Sequence, residues 1–277
     1  MTTVVKIGGA RAVDPAGAVA DIADLVDGGE SVVVVHGGST AVDDLLERLG
    51  EEPEYVTTPS GVTGRFTDET TMEAFTMAMA GKVNTELTVT LRNAGVDAIG
   101  LSGVDGGLLT GPRKSAVRVL EDGKKKIRRG DHSGRIESIN DELLDQLLDA
   151  GYSPVVSVPM LADDGVAVNS DADRAAAAVA GAIGGSLLLL TDVAGVYADP
   201  DDPSTRIDEA DDPASFSAIE EAAEGFMTRK VMAAREAIEH GATEVYIADG
   251  TADEPLTRAL LGDATKITPA AIAAEEV

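Results

Sequence analysis

Short runs of β-branched and aliphatic residues alternate along this chain with longer alanine- and leucine-rich stretches, and no other feature limits its fold so tightly. Strands that are each followed by a helix return to the same sheet in parallel. The pattern therefore predicts an α/β fold, a three-layer sandwich with a mainly parallel central sheet. Residues 4–7, 31–36, 97–101, 153–159, 187–190 and 244–248 have the length and composition of strands. Residues 68–94, 140–150, 169–183 and 225–237 read as helices, the first of them opening on Asp68 as a cap. Two segments break the rhythm. Residues 108–139 alternate and carry Asp122-Gly123, a hairpin turn signal. Residues 199–212 form a loop dense in aspartate and proline. The chain leaves a helix at Gly184-Gly185 and starts a fresh strand, so two lobes are expected, 1–184 and 185–277.

With 277 residues and 44% hydrophobic content, there is ample material for a core. No apolar run approaches the ~20 residues that span a bilayer. The first residues lack a charged segment leading into an apolar one, so no export signal is read and a cytoplasmic location is expected. Cysteine is absent and the three histidines are scattered, which removes disulfides, thiol nucleophiles and cysteine-ligated metals, and argues against a zinc site. The formal charge is -27, with the acid spread along the chain rather than gathered in a tail. Dispersed acid gives a solvated surface that resists salting out and suits a halophilic, high-salt cytoplasm. It disfavours nucleic-acid binding, which needs the opposite charge balance.

Two glycine turns follow strands. Lys6-Ile7-Gly8-Gly9 ends the first, and His36-Gly37-Gly38-Ser39 ends the second, directly before a helical pattern. Glycines there let backbone N–H groups approach an anion, and a helix N-terminus adds donors and partial positive charge. Strand-to-helix turns also need glycine for steric reasons, so each turn alone leaves both readings open. Neither completes a P-loop or a dinucleotide fingerprint. Lys6 lies on an otherwise apolar strand, where its charge is costly unless used, although a lysine at a strand end can also snorkel. Lys230 falls early in a helix, where a cation is unfavourable unless an anion sits nearby; the other reading has it facing solvent. Asn169 and Asp173, four apart, are expected on one face of the alanine-rich helix, or as its cap.

Together these pieces resemble the amino acid kinase family, and its acetylglutamate kinase-like members in particular. Lys6-Ile7-Gly8-Gly9, His36-Gly37-Gly38-Ser39, Arg65, Asn169 with Asp173, residues 191–196, and Gly225-Phe226-Met227 with Lys230 follow the family's order from residue 4 to about residue 250. The resemblance implies ATP-dependent phosphorylation of a carboxylate, with Mg2+ arriving on ATP and no protein-held metal. It implies that Lys6 and Lys230 flank the transferring phosphoryl group and that Asp173 orients them. Gly37, Gly38, Ser39, Arg65 and Asn169 would bind the substrate. Gly8, Gly9, Thr191, Asp192, Val196 and Met227 would border the phosphates and the nucleotide. Two positions depart from the family pattern: Ser39 replaces a third glycine, and Phe226 places a ring where relatives keep glycine. Because the sequence starts at the first strand, without the N-terminal helix of hexameric relatives, a homodimer is expected.

Residues 111–135 hold nine of the chain's 22 basic residues against three acidic ones. Such a run is ordinarily a solvated hairpin, but in so acidic a chain it suits an acidic partner. Residues 126–136 and 60–65 resemble the branch of the family that phosphorylates glutamate or aminoadipate attached to LysW, a small acidic carrier protein. By that resemblance Lys124, Lys125, Lys126, Arg128, Arg129 and Arg135 would contact the carrier. The rival activities are an acetylglutamate kinase acting on the free substrate and a non-catalytic amino-acid sensor on the same fold. Glutamate and aminoadipate differ by one methylene, worth only about 1–3 kcal/mol in a pocket.

Overall fold

The computed structural model describes residues 2–8, 15–59, 61, 63–121 and 123–273. Its strands are β1 (Thr2–Ile7), β2 (Ser31–His36), β3 (Tyr55–Thr57), β4 (Thr63–Arg65), β5 (Ala98–Gly103), β6 (Leu109–Gly111), β7 (Arg113–Glu121), β8 (Lys124–Gly134), β9 (Ser138–Ile139), β10 (Ser153–Ala162), β11 (Ala167–Val168), β12 (Ser186–Thr191), β13 (Glu209–Ala210), β14 (Val245–Asp249) and β15 (Thr265–Ile267). Its α-helices are α1 (Pro15–Asp27), α2 (Ser39–Leu49), α3 (Glu69–Thr76), α4 (Asn84–Asn93), α5 (Asp141–Asp149), α6 (Ala172–Ala182), α7 (Pro213–Ala222), α8 (Phe226–Glu239) and α9 (Pro255–Leu260).

One sheet of eleven strands runs through the described residues in the order β13-β15-β14-β12-β1-β2-β10-β6-β9, with β5 and β11 also paired to β10. Its centre is parallel, as the alternation predicts: β1 pairs with β2 and β12, and β10 with β2 and β5. The β1–β12 pairing crosses the expected division at residue 184, so the sheet is continuous between the two halves.

Successive side chains on a strand face opposite ways, and the core divides accordingly. Val4, Val33, Val35, Val156, Leu187 and Leu189 are buried on one face, under residues from α2, α3, α5, α6 and α8. Val5, Val32, Val34, Val155, Leu188 and Leu190 are buried on the other, with residues from α1, α4 and α9. These are the three layers. Each fully buried Val or Leu contributes about 1.5–3 kcal/mol relative to exposure. The alternation on β1 puts Lys6 on the face of Val4, against α6.

Two local expectations need revision, and a third is met. Residues 69–93 are helical throughout, and Asp68 caps them by accepting from the Thr71 N–H, but residues Met77–Val83 form a π-helical turn between α3 and α4. The alanine-rich helix begins at Ala172, not Asn169. The N–H of Asn169 donates to the His132 carbonyl at 2.8 Å, and its own carbonyl accepts from Gly134 at 2.8 Å. Those bonds hold Asn169 beside β8, and Asp171 caps α6 instead, so Asn169 and Asp173 do not share a helical face. Residues 108–139 are four strands, dominated by the β7–β8 hairpin. Gly123 takes the left-handed φ of 72° that its turn requires; Asp122 lies outside the described residues.

Candidate active site

The carboxyl ends of β1, β2 and β12 open on a cleft of about 1220 Å³, where ligand sites of parallel sheets ordinarily lie. At its floor Lys6 Nζ stands 2.6 Å from Asp173 Oδ1, while Lys230 Nζ donates to Asp173 Oδ2 at 3.1 Å. Residue exposures of 5%, 9% and 9% for Lys6, Asp173 and Lys230 make this a buried triad. The anion that Lys230 needs near a helix start is thus Asp173, from the first turn of α6.

Burial alone would raise the Asp173 pKa. The ammonium groups of Lys6 and then Lys230 outweigh it and hold the carboxyl well below the usual carboxylate range. Burial, then repulsion from Lys6, push Lys230 below the ordinary lysine value, with Asp173 offsetting part of the drop. Two cations share one carboxylate, so the triad keeps a surplus positive charge in a poorly solvated place. Such an arrangement stabilises negative charge that develops between the amines.

Gly37, Gly38 and Ser39 line the same cleft. The N-cap of α2 is Gly38, with no side-chain acceptor, whereas α3, α5, α6 and α7 are capped by Asp68, Asn140, Asp171 and Asp212. The first N–H groups of α2 are therefore not taken by a cap. A Cβ at Gly38 would lie 2.6 Å from Met79 Sδ, in the π-helical turn, so any larger residue there would have to displace that thioether.

The turn is held from below by a pair that the sequence did not advertise. His36 Nδ1 lies 2.9 Å from the Gly37 carbonyl, which can only accept. Nδ1 therefore carries the proton, and Nε2 accepts from Asn84 Nδ2 at 3.1 Å. The second hydrogen of that amide goes to the Val155 carbonyl at 2.8 Å. Burial lowers the His36 pKa to about 4, the Gly37 bond opposing it and the Lys6 charge adding to it, so the ring is neutral at pH 7.

Arg65 borders the cleft with its guanidinium engaged by Asp43, by the Ser39 carbonyl at 3.0 Å and by the Tyr55 hydroxyl at 3.0 Å. Asn169 Nδ2 donates to Thr67 Oγ1 at 2.9 Å, and the Thr67 N–H reaches the buried Asp131 carboxylate at 3.4 Å. Gly8, Thr191 and Asp192 also line the cleft, Thr191 Oγ1 donating to Asp192 at 3.1 Å. Val196 and Met227 do not. Val196 is buried with its N–H on Thr265 Oγ1, and Met227 packs against the core. Gly9 and the Phe226 side chain lie outside the described residues. Arg229 is an addition: it lines the cleft and ties α8 to the Thr63 carbonyl and, at 3.8 Å, to Asp171. An arginine next to a candidate lysine was the signal for it.

The hairpin cations fall into two groups. Arg128 is paired with Glu54 and stacks over the Phe66 ring at 4.0 Å, Lys126 is paired with Glu121 at 2.7 Å, and Arg135 with Glu137. Lys124, Lys125 and Arg129 have no ion-pair partner among the described residues. Arg135 also lines the cleft, together with Lys114 and Ser133 from the hairpin's base.

Known proteins resemble this chain along most of its length. The model of the amino acid kinase family matches residues 1–249. A LysW-aminoadipate kinase of Deinococcus radiodurans is 42% identical over 268 residues, covering 96% of this chain and 91% of the relative. The LysW-aminoadipate kinase of Thermus thermophilus is 41% identical, covering 95% and 99%. An acetylglutamate kinase of Methanopyrus kandleri is 41% identical, covering 88% and 93%. Among solved structures, an N-acetylglutamate synthase of Neisseria gonorrhoeae superposes with a TM-score of 0.73 at 27% identity, over 96% of this chain and 59% of that longer one. A carbamate kinase of Giardia lamblia shares the fold, with a TM-score of 0.66 at 17% identity over 96% and 98% of the two chains. With its family model matched along most of its length and such relatives beside it, the chain belongs to the amino acid kinase family.

Proposed function

We propose that this protein transfers the γ-phosphoryl group of ATP to the side-chain carboxylate of glutamate, or of aminoadipate, borne on an acidic LysW-type carrier protein. The reaction would serve arginine or lysine biosynthesis. The observation that carries the reading is the meeting of Lys6 and Lys230 on one buried carboxylate inside the cleft. A carboxylate is already ionised near neutrality and needs no base, so catalysis reduces to positioning and charge stabilisation. An acceptor oxygen attacks the γ-phosphorus, the bond from phosphorus to the bridging oxygen breaks, and an acyl phosphate and ADP result. Lys6 and Lys230 stabilise the charge spreading over the phosphoryl oxygens, and Asp173 holds both amines in place. The N–H groups of Gly38 and Ser39 offer donors to phosphate and substrate, while the Gly37 N–H stays on the Ile7 carbonyl at 3.0 Å and fixes the turn beside them. Arg65 and Asn169 hold the amino-acid end, and Gly8, Thr191 and Asp192 border the nucleotide.

Mg2+ would come with ATP and neutralise phosphate charge. Asp173 is already committed to two amines, and no cluster of three acidic or histidine side chains stands among the described residues, so phosphate oxygens and water suit it as ligands. The segment 1–184 would supply the acceptor and carrier contacts and 185–277 most of the ATP site. A homodimer and a cytoplasmic, high-salt setting complete the reading; no described helix is long and apolar enough to cross a membrane.

The carrier, rather than a free acetylated acceptor, is favoured by the basic hairpin whose base lines the cleft and by the names of the two LysW-kinase relatives. The test is turnover with carrier-borne glutamate against free N-acetylglutamate, each with ATP and Mg2+ in molar salt. The reading expects turnover of the first and little of the second. Robust use of the free compound alone would sink it.

A further inference from the structure

The β7–β8 hairpin is not uniformly basic; its two faces do different work. Cross-strand neighbours share a face, and successive pairs alternate between faces. The register pairs Ala116 with Arg129, Val117 with Arg128, Arg118 with Ile127, Val119 with Lys126 and Leu120 with Lys125. One face thus holds Val117, Val119, Lys126 and Arg128. It is the inner one, since Val119 is buried and Arg128 is tied to Glu54 and Phe66. The other holds Ala116, Arg118, Leu120, Lys125, Ile127 and Arg129, all of them exposed.

Ile127 is 69% and Leu120 44% exposed, and each stands directly beside a cation. Arg118, Lys125 and Arg129 make no ion pair with any described residue. A strand face of aliphatic side chains ringed by unpaired cations, in a chain of charge -27, is complementary to one kind of surface. That surface is acidic and has an apolar spot at its centre. Basic partners would be drawn instead to the acidic remainder of the molecule. The hairpin also rises from the cleft itself, because Lys114, Ser133 and Arg135 at its base are lining residues.

We propose that the outer face of this hairpin docks the acidic carrier, with Ile127 and Leu120 as the apolar centre of the contact and Arg118, Lys125 and Arg129 as its rim, while Arg128 ties the hairpin to Glu54 and Phe66 and Lys126 pairs with Glu121 inside the hairpin. The proposal rests on the carrier reading above. It adds a division of labour with a salt signature. In about 3 M salt the Debye length falls below ~3 Å, so the rim loses most of its reach, whereas apolar burial is not screened.

The experiment measures KM for carrier-borne glutamate at about 0.2 M and about 3 M KCl, for the wild type, Ile127→Ser/Leu120→Ser, Arg118→Gln/Arg129→Gln and Arg128→Gln. The apolar double variant should raise KM about tenfold at both salts, and the arginine double variant mainly at low salt. Arg128→Gln should leave KM within about twofold, and the KM for ATP should stay constant throughout. The ATP value, with the thermal midpoint, reports that each variant is folded. Wild-type KM in the Ile127→Ser/Leu120→Ser protein overturns the outer-face proposal, and so does a larger effect from Arg128→Gln. A changed oligomeric state with unchanged carrier KM assigns the face to a second copy and overturns it as well. A wild-type enzyme that ignores the carrier fails the carrier reading itself, which is a different result from any of these.

Discussion

Lys6 and Lys230 share one carboxylate at no more than 9% exposure, whereas Arg118, Lys125 and Arg129 stand in solvent without a described ion-pair partner. In the cleft, burial makes every charge expensive, so the number of partners decides what the site does: two amines on one carboxylate leave room for one anion. On the hairpin, water screens each charge, and the alternation of faces decides instead, by separating cations that brace the protein from cations that remain available. The two regions are joined where the Asn169 N–H meets the His132 carbonyl and Asn169 Nδ2 meets Thr67, so the base of an exposed ribbon is fixed to the wall of the buried site.

Removing an amine should have the largest effect. Lys230→Ala and Lys6→Ala are each expected to lower kcat on the order of a thousandfold, with the KM for ATP changed by only a few-fold. Steady-state rates at saturating ATP measure this. Asp173→Ala should cost about 3–5 kcal/mol of stability in denaturant unfolding, because two buried ammonium groups lose their anion. The triple replacement Lys6→Met/Asp173→Leu/Lys230→Met should recover much of that stability with no activity, which separates the folding role of the triad from its chemistry. The sign with pH follows from the depressed Asp173 pKa. Its stabilisation is complete above the ordinary carboxylate value of 3.8 and is lost as pH falls through the lower value of the folded state.

Asn84→Ala should have an intermediate effect. It deprives His36 Nε2 and the Val155 carbonyl of their donor, and kcat should fall roughly 10–100-fold as the Gly37-Gly38 turn drifts. Stability should drop by about 1–3 kcal/mol. Asn84→Gln, one methylene longer, should recover neither. A smaller effect is a displaced titration: the basic limb of the kcat/KM profile should fall below the ordinary lysine value of 10.5, because burial and Lys6 make Lys230 lose its proton early. Arg128→Ala should do least, under about 1 kcal/mol, since Glu54 is 44% exposed and its ion pair is screened.

The sheet and its helices were legible because the signals are local. A run such as Val32 to Val35 has strand chemistry whatever surrounds it, and Asp68 or Asn140 caps the helix that follows it. Long-range hydrogen bonding escaped the pattern. Asn169 sits before an alanine-rich run, yet β8 claims both its backbone groups and leaves capping to Asp171. Asn84 reads as one polar residue on an ordinary helix, and only the π-helical turn before it and the strands beneath reveal a buried bridge to His36. Val196 shows the reverse, since it follows the cleft-lining residues Thr191 and Asp192 but is folded away by the Thr265 hydroxyl. Within the hairpin, composition gave the cations but not their division, which appears only in the register of Arg118 with Ile127 and Val117 with Arg128.

The most direct test of the central claim is a structure with MgADP and aluminium fluoride, a mimic of the phosphoryl group in flight. The account predicts both amines within about 3 Å of the planar fluoride, with Asp173 still bridging them. A mimic bound away from either amine, with Lys6 and Lys230 unchanged on Asp173, would contradict it.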